Sequence, residues 1–130
     1  MGAATVAGVS APRIDRRPAR GRAGEDAALR VYERRGYALV VRNWRCALGE
    51  LDLVLLRRDT LVVCEVKTRS GSAFGGGYEA VTWSKRRKLR RLAEAFLEQA
   101  GARVAALRFD VASVWLGPAG ADVEIFEDAF

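Results

Sequence analysis

The sequence predicts a single α/β domain in which a central mixed sheet carries a helix on each face, in the order α-β-β-β-α-β-β. Two amphipathic helical segments and five short runs rich in Val, Leu and aromatic residues predict this order. A chain of 130 residues is long enough for one hydrophobic core and too short for two. A helix on each side of the sheet would bury the apolar stripes of both helices.

The N-terminal segment differs from the rest of the chain in composition. Residues 1–23 hold five arginines and one aspartate, and so contribute +4 to the net charge of +6. Because this segment is also rich in Ala, Gly and Pro, we expect residues 1–22 to form a disordered basic tail. Residues 23–130 are expected to form the single domain.

The helices and strands are placed by apolar periodicity and by turn residues. The first helix is expected over Glu25–Arg35, with Gly36 as a left-handed C-cap and with Glu25 on the face that meets the core. The first three strands should form an antiparallel meander, and the glycine-rich residues 69–79 a flexible loop. The strands are expected at Tyr37–Trp44, Glu50–Leu56, Leu61–Thr68, Arg103–Trp115 and Val123–Phe126, and the second helix at Ala80–Ala100.

Several functional classes are excluded by residues that the chain lacks. It contains no histidine, which removes Ser-His-Asp and Cys-His catalysis and histidine metal sites. It contains no P-loop motif. The spacing of Cys46 and Cys64 matches neither a zinc pair nor a redox motif, which favours two free thiols in a reducing cytoplasm. No apolar run is long enough to cross a bilayer, so we expect a cytoplasmic protein without a membrane partner.

Charged side chains recur inside two apolar strands. Side chains alternate along a strand, so Glu50 and Asp52 share one face, as do Glu65 and Lys67. With residues 58–59 as a two-residue loop, Asp52 falls opposite Glu65 and Glu50 opposite Lys67. A slip of one residue would send the charged sets to opposite faces and divide the apolar residues. The register that gathers the charges also gathers Leu51, Leu53, Leu55, Val62, Cys64 and Val66.

Two carboxylates directly across a sheet repel each other, so a cation is expected between Asp52 and Glu65. Mg²⁺ (or Mn²⁺) fits, because it takes oxygen ligands and is often bound by one or two carboxylates together with phosphate and water. Lys67 would then stabilise phosphate charge or orient the attacking water, and Glu25 would be an additional ligand. The alternative is a polar sheet face with cross-strand salt bridges, and spacing alone leaves both interpretations open.

The segment GELDLVLLRRDTLVVCEVKTR resembles the catalytic hairpin of the PD-(D/E)XK nuclease superfamily. It is more closely similar to the bacterial YraN-like family, in which GE-I-D-L-I is followed by V-E-V-K-T-R. The similarity continues through GEDAALRVYERRGY, RNWRC, EAVTWSKRRKLRRLAE and RFDV, and covers about Arg22 to Phe126. The resemblance implies a restriction-endonuclease-like fold.

The same resemblance implies roles for five residues. Asp52 and Glu65 would be the metal ligands and Lys67 the catalytic lysine, with Glu25 and Glu50 in supporting positions. The chain departs from the superfamily pattern at Leu51, where the superfamily name has a proline.

A run of cations opens the second helix, with six Lys or Arg residues among residues 85–91. Cations in the N-terminal half of a helix oppose its dipole at about 0.3–1 kcal/mol each, which an anionic partner would offset. Phosphate contacts are the candidate explanation, and a solvated helix face is the alternative. The predicted nucleic-acid-binding residues are Arg69, Lys85, Arg86, Arg87 and Arg90.

The aromatic residues and Asp110 are expected to have mainly structural roles. Phe74 or Tyr78 in the glycine-rich loop would stack on a base or, more simply, anchor the loop. The three tryptophans, Trp44, Trp83 and Trp115, are assigned to packing. Asp110 is expected to be a structural hydrogen-bond acceptor.

The sequence thus predicts a metal-dependent nuclease that hydrolyses phosphodiester bonds, with DNA as the expected partner and branched or repair intermediates as candidate substrates. One alternative is a nucleic-acid-binding module that keeps the nuclease fold without catalysis. Another is an interaction protein whose acidic cluster is a salt-bridge network. A homodimer would suit a branched substrate.

Overall fold

The computed structural model describes residues 19–70 and 82–130. Most of the predicted basic tail, and the glycine-rich loop with Phe74 and Tyr78, lie outside the described residues. The elements are helix α1 (Ala19–Arg34), strands β1 (Ala38–Cys46), β2 (Gly49–Arg57) and β3 (Thr60–Ser70), helix α2 (Trp83–Ala100), and strands β4 (Ala106–Gly117) and β5 (Gly120–Phe126). This order confirms the α-β-β-β-α-β-β prediction.

The five strands form one sheet in the order β1-β2-β3-β4-β5. Strands β3 and β4 pair in parallel, and the other neighbours are antiparallel. The sheet is therefore mixed, and its first three strands form the expected meander. Because parallel neighbours need a long crossover, α2 lies in the connection between β3 and β4.

Both helices begin at positions other than those predicted. Helix α1 starts at Ala19 rather than Glu25, because Ala and Arg are strong helix formers and extend it toward the N-terminus. Helix α2 starts at Trp83 rather than Ala80, where the hydroxyl of Thr82 accepts a hydrogen bond from the amide of Lys85 at 3.2 Å. The C-terminal signals are confirmed, with Gly36 at φ 89° after α1 and Gly101 at φ 60° after α2.

Each face of the sheet packs against one helix. The cluster on the α2 side combines Leu89, Leu92 and Phe96 of the helix with strand residues such as Val54 and Val63. The cluster on the α1 side contains Ala27, Ala28, Tyr32, Tyr37, Leu53, Leu55, Val62, Cys64, Ala112 and Val114. The alternating strand residues thus divide between the two helices, as a sheet buried on both faces requires.

The predicted β2–β3 register is confirmed where the two strands pair. Leu53 pairs with Cys64 and Arg57 with Thr60, so residues 58–59 form the two-residue loop. The regular ladder ends at Leu53 and Cys64, one pair before the predicted pairing of Asp52 with Glu65.

Leu51 does not follow the predicted grouping with Leu53 and Leu55. On the neighbouring strand β1, Asn43 has a φ of 58°, which interrupts the alternation of side chains. As a result Arg42 meets α1, whereas Trp44, two residues later, packs on the α2 side together with its cross-strand partner Leu51. Leu51 therefore packs on the α2 side, whereas Leu53 and Leu55 pack on the α1 side.

Asp110 is fully buried and has the structural role that the sequence predicted. Its carboxylate accepts hydrogen bonds from the Tyr32 hydroxyl at 2.7 Å and from the backbone amide of Asp128 at 3.0 Å. The guanidinium of Arg108 donates two further bonds at 2.9 Å and also donates to the Tyr37 hydroxyl. This network ties α1 to β4 and to the residues after β5.

Within the described part of the chain, neither helix has the length and apolar character that a membrane-spanning helix needs.

Candidate active site

An acidic cavity of about 180 Å³ lies between the start of β2, the middle of β3 and the N-terminal half of α2. It brings together three of the five residues predicted to be catalytic, namely Glu50, Asp52 and Glu65. Two lysines of α2 complete its polar lining, and two leucines of the core form its apolar wall. The lining residues are Glu50, Asp52, Glu65, Lys85, Lys88, Leu89 and Leu92.

Asp52 lies just beyond the last regular pair of the β2–β3 ladder. Its Oδ2 accepts a hydrogen bond from the backbone amide of Val66 at 2.8 Å. The side chain thus bonds to the backbone of β3 at the point where the regular pairing has ended, and this fixes the carboxylate beside Glu65, the residue before Val66. The predicted proximity of Asp52 and Glu65 is reached through this contact rather than through a backbone pair.

Glu65 forms an ion pair with Lys85, whose ammonium lies 2.6 Å from its Oε1. The side chain of Glu65 is 12% exposed and that of Lys85 is 40% exposed, so the pair lies at the mouth of the cavity. Burial lowers the pKa of Lys85, but the hydrogen bond and charge of Glu65, with the charge of Asp52, outweigh it and hold the pKa above its ordinary value. Lys85 therefore remains protonated and neutralises part of the carboxylate charge.

Glu50 makes its ion pair with Arg45 of β1 rather than with Lys67. The predicted pairing of Glu50 with Lys67 is wrong, because β2 and β3 have left their regular ladder before Glu50 is reached. Lys67 lies on β3 two residues after Glu65 and is not among the residues that line the cavity.

Glu25 is buried in α1, where Arg42 donates to its Oε1 at 3.2 Å. The same guanidinium forms an ion pair with Asp26 at 2.6 Å. Glu25 thus lies on the core-facing side of α1, as the sequence predicted, but it is not among the residues that line the acidic cavity. Its role as a further ligand stays a prediction.

Three of the predicted nucleic-acid-binding arginines lie against aromatic rings. The guanidinium carbon of Arg90 is 4.8 Å from the ring centre of Phe109, that of Arg86 is 5.9 Å from Phe130, and that of Arg69 is 5.9 Å from Trp115. Cation–π contacts of this kind hold the side chains in place while the charge stays near the surface.

A second groove, of about 440 Å³, runs beside α2 and carries an apolar and cationic lining. It is formed by Leu48 in the turn between β1 and β2 and by Ser84, Arg87, Lys88 and Arg91 on one face of α2. Lys88 also lines the acidic cavity, so the two spaces adjoin at this lysine. The acidic cavity thus opens onto a basic surface.

The structure corrects the assignment of Trp83 to packing. Trp44 is buried against Phe96, with ring centres 5.4 Å apart, and Trp115 is half-buried. Trp83, in contrast, is 71% exposed. Because α2 begins at Trp83, this residue precedes the first position that reaches the core.

Sequence reasoning also missed the roles of Lys85 and Lys88 in the acidic cavity. A signal for Lys85 was present, since it lies four residues before Leu89 and thus on the same side of α2 as the buried stripe. Lys88 lies at the edge of that stripe. Leu48 carried no sequence signal, because its position depends on how the β1–β2 turn meets α2.

The acidic side chains of the cavity offer the donor type that a hard divalent cation prefers. Glu50, Asp52 and Glu65 supply carboxylate oxygens, which Mg²⁺ and Mn²⁺ prefer. Among the described residues, no three or more Asp, Glu or Cys side chains are grouped so that they could hold a metal ion by themselves. A cation held here would take its remaining ligands from water or phosphate, as Mg²⁺ commonly does.

The mixed five-stranded sheet with its two helices makes this an α/β protein with a restriction-endonuclease-like core. The family model described as uncharacterised protein family UPF0102 matches residues 24–114. The chain belongs to this family, and the resemblance to the YraN-like family is confirmed.

Several relatives from other bacteria are similar over most of their length, and each is named as a UPF0102 protein. The relative from Parafrankia sp. (strain EAN1pec) is 48% identical over 95 residues, which cover 73% of this chain and 80% of the relative. The Moorella thermoacetica relative is 42% identical over 113 residues, covering 85% and 94%. The Pelotomaculum thermopropionicum relative is 42% identical over 118 residues, covering 89% and 98%.

Proposed function

We propose that the protein hydrolyses phosphodiester bonds in nucleic acid, with DNA as the expected substrate and Mg²⁺ or Mn²⁺ held by Asp52 and Glu65. The observation that carries this proposal is the junction at Lys88 between an acidic cavity and a basic groove. The basic groove suits a polyanionic strand. The acidic cavity would repel the same strand unless a cation neutralised it.

The residues that line the cavity would have different roles in binding the cation and the phosphate. The amide of Val66 holds Asp52 in one orientation, which prepares a carboxylate oxygen for a cation. Lys85 neutralises Glu65 when no divalent cation is bound. Lys88, at the border of the two spaces, would contact the phosphate next to the cleaved bond.

A divalent cation at this site would supply an activated water and stabilise the charge that develops on the phosphate. Lys67, two residues after Glu65 on β3, would help to orient the attacking water or contact the phosphate. Glu50 supports the site through its position in the lining and its ion pair with Arg45.

Cleavage of labelled single-stranded, duplex and four-way-junction DNA in the presence of Mg²⁺ or Mn²⁺ tests the proposal. The double variant Asp52→Asn/Glu65→Gln removes two charges but keeps the size of both side chains, and should abolish cleavage. The matched control is Asp122→Asn/Glu124→Gln, two exposed residues of β5, which should cleave like the wild type. Equal cleavage by the first variant and the wild type would exclude this site.

The alternative is a nucleic-acid-binding module without catalysis, and the Lys85–Glu65 ion pair favours it, because it satisfies a carboxylate without a metal. This alternative predicts DNA binding that is unaffected by Mg²⁺, and no cleavage of any of the three substrates. Binding measured with and without the metal separates the two functions.

A further inference from the structure

Trp83 is a large aromatic side chain with most of its surface in solvent, at 71% exposure. Leu48, which lines the basic groove, is 47% exposed. Scattered apolar residues on a surface are ordinary, but here two of them lie beside a cluster of cations. The combination of an exposed aromatic ring and basic side chains matches a surface that binds single-stranded nucleic acid.

The helical geometry places Trp83 at the end of a continuous path around α2. Successive residues turn by about 100°, so the order around the helix runs from Lys85 to Lys88, Arg91, Arg87 and Trp83. Lys85 lines the acidic cavity, Lys88 lines both spaces, and Arg91 and Arg87 line the basic groove. Trp83 and Arg87 are four residues apart and therefore neighbours on the helix surface.

This path favours a nucleic-acid strand as the occupant of the groove. The lining of the basic groove contains three cationic side chains, Arg87, Lys88 and Arg91, and no acidic one. A strand in the groove would place its phosphates on these cations and one of its bases on the indole of Trp83. The bases of an intact duplex are stacked on one another, so only an unpaired base offers its face to Trp83.

We propose that Trp83 stacks on an unpaired base and so selects nucleic acid with a single-stranded segment next to the bond in the acidic cavity. This inference rests on the proposed function and narrows its substrate class. Fully paired duplex would bind through Arg87, Lys88 and Arg91 alone, and therefore more weakly.

The test measures binding of a fluorescein-labelled single-stranded DNA and of a blunt duplex of the same length, in EDTA so that no cleavage occurs. Trp83→Ala should weaken single-strand binding about 5- to 150-fold, the range found for loss of one stacked base. It should change duplex binding less than about twofold. Trp83→Phe should retain most of the single-strand affinity, because it keeps an aromatic ring.

Leu107→Ala is the matched control, since Leu107 is another exposed apolar residue, at 36%, and lies at the start of β4. It should bind both DNAs as the wild type does. Tryptophan fluorescence gives a second readout, because single-stranded DNA should quench the wild type and leave Trp83→Phe, which keeps Trp44 and Trp115, nearly unquenched.

Three results would overturn the inference. One is an equal loss of single-strand and duplex affinity in Trp83→Ala, and another is no loss of either. The third is a change in the sedimentation of Trp83→Ala that shows the ring to be an interface between two copies. None of these results would contradict metal-dependent cleavage at Asp52 and Glu65. That activity is tested separately with the variant Asp52→Asn/Glu65→Gln.

Discussion

The ammonium of Lys85 lies 2.6 Å from Oε1 of Glu65, so a cation from α2 occupies the mouth of the acidic cavity. This contact joins the helix to the sheet at the candidate metal site. It also gives the carboxylates a partner when no divalent cation is present, which explains how two neighbouring acidic side chains coexist there. Metal binding and the Lys85 ion pair are therefore expected to compete.

Lys85→Met should lower the stability of the metal-free protein and increase its response to metal. The loss should be small, about 0.5–1 kcal/mol, because the pair is partly exposed. The gain in melting temperature on adding Mg²⁺ should exceed that of the wild type, since no ammonium competes for Glu65. Arg87→Met, which removes a cation from the groove alone, is the control, and equal Mg²⁺ responses in all three proteins would contradict the competition.

The pH dependence of the same pair follows from the raised pKa of Lys85. The ordinary value is 10.5, and the folded value lies above it. The stabilisation is therefore fully present below 10.5 and is lost as the pH rises through the folded value. The stability difference between wild type and Lys85→Met, measured by urea unfolding, should stay constant from neutral pH to about pH 10 and shrink above it.

Gly24→Ala should destabilise the protein because α1 approaches β3 closely at this residue. A methyl group at Gly24 would collide with the side chain of Thr68, which follows Lys67. We expect a loss of about 1–3 kcal/mol, the usual range for overpacking. Gly21→Ala is the matched control in the same helix, since nothing lies within 4 Å of its added methyl group. It should be neutral or stabilising by up to about 1 kcal/mol, as read from urea unfolding.

Tyr32→Phe should cost about 1–3 kcal/mol, because it removes a hydrogen bond to the fully buried carboxylate of Asp110. Tyr37→Phe is the control, since the Tyr37 hydroxyl bonds to Arg108, which keeps its two bonds to Asp110. Its cost should be below about 1 kcal/mol. Equal losses of unfolding free energy in the two variants, by thermal or urea unfolding, would contradict a larger contribution from the hydrogen bond between Tyr32 and Asp110.

Thiol labelling should separate the two cysteines. Cys46 is partly exposed, whereas Cys64 is fully buried, and burial raises the pKa of the Cys64 thiol well above its usual range. At mildly alkaline pH one thiol per molecule should react rapidly with a thiol reagent, and Cys46→Ser should abolish this rapid reaction. Cys64 should react at least about 10³-fold more slowly, because its exposure requires opening of the sheet. Two fast thiols in the native protein would contradict the packing of Cys64.

The β2–β3 hairpin could be predicted from sequence because the residues that determine its register lie close together in the chain. A two-residue loop and alternating apolar residues fixed the pairing of Leu53 with Cys64, and the acidic residues followed from it. The alternation failed at Leu51, which packs on the α2 side although Leu53 and Leu55 pack on the α1 side, and no residue pattern in β2 indicates this.

The contacts of α2 depended on information that is not local. Whether Lys85 meets Glu65 depends on where the helix begins and how it crosses the sheet, and the predicted start at Ala80 was three residues early. Trp83, which was assigned to packing, is the first residue of α2 and is exposed. Helix boundaries are set by caps such as Thr82, whose effect is weaker than that of an apolar stripe.

The most direct test of the account is the rate of Mg²⁺-dependent cleavage by Asp52→Asn compared with the wild type. The amide oxygen of the variant can still accept the hydrogen bond from Val66, so the fold should be retained, as its melting temperature will report. The rate should fall roughly 10²–10³-fold, the effect of losing a metal ligand worth several kcal/mol. Cleavage at the wild-type rate by the folded variant would contradict it.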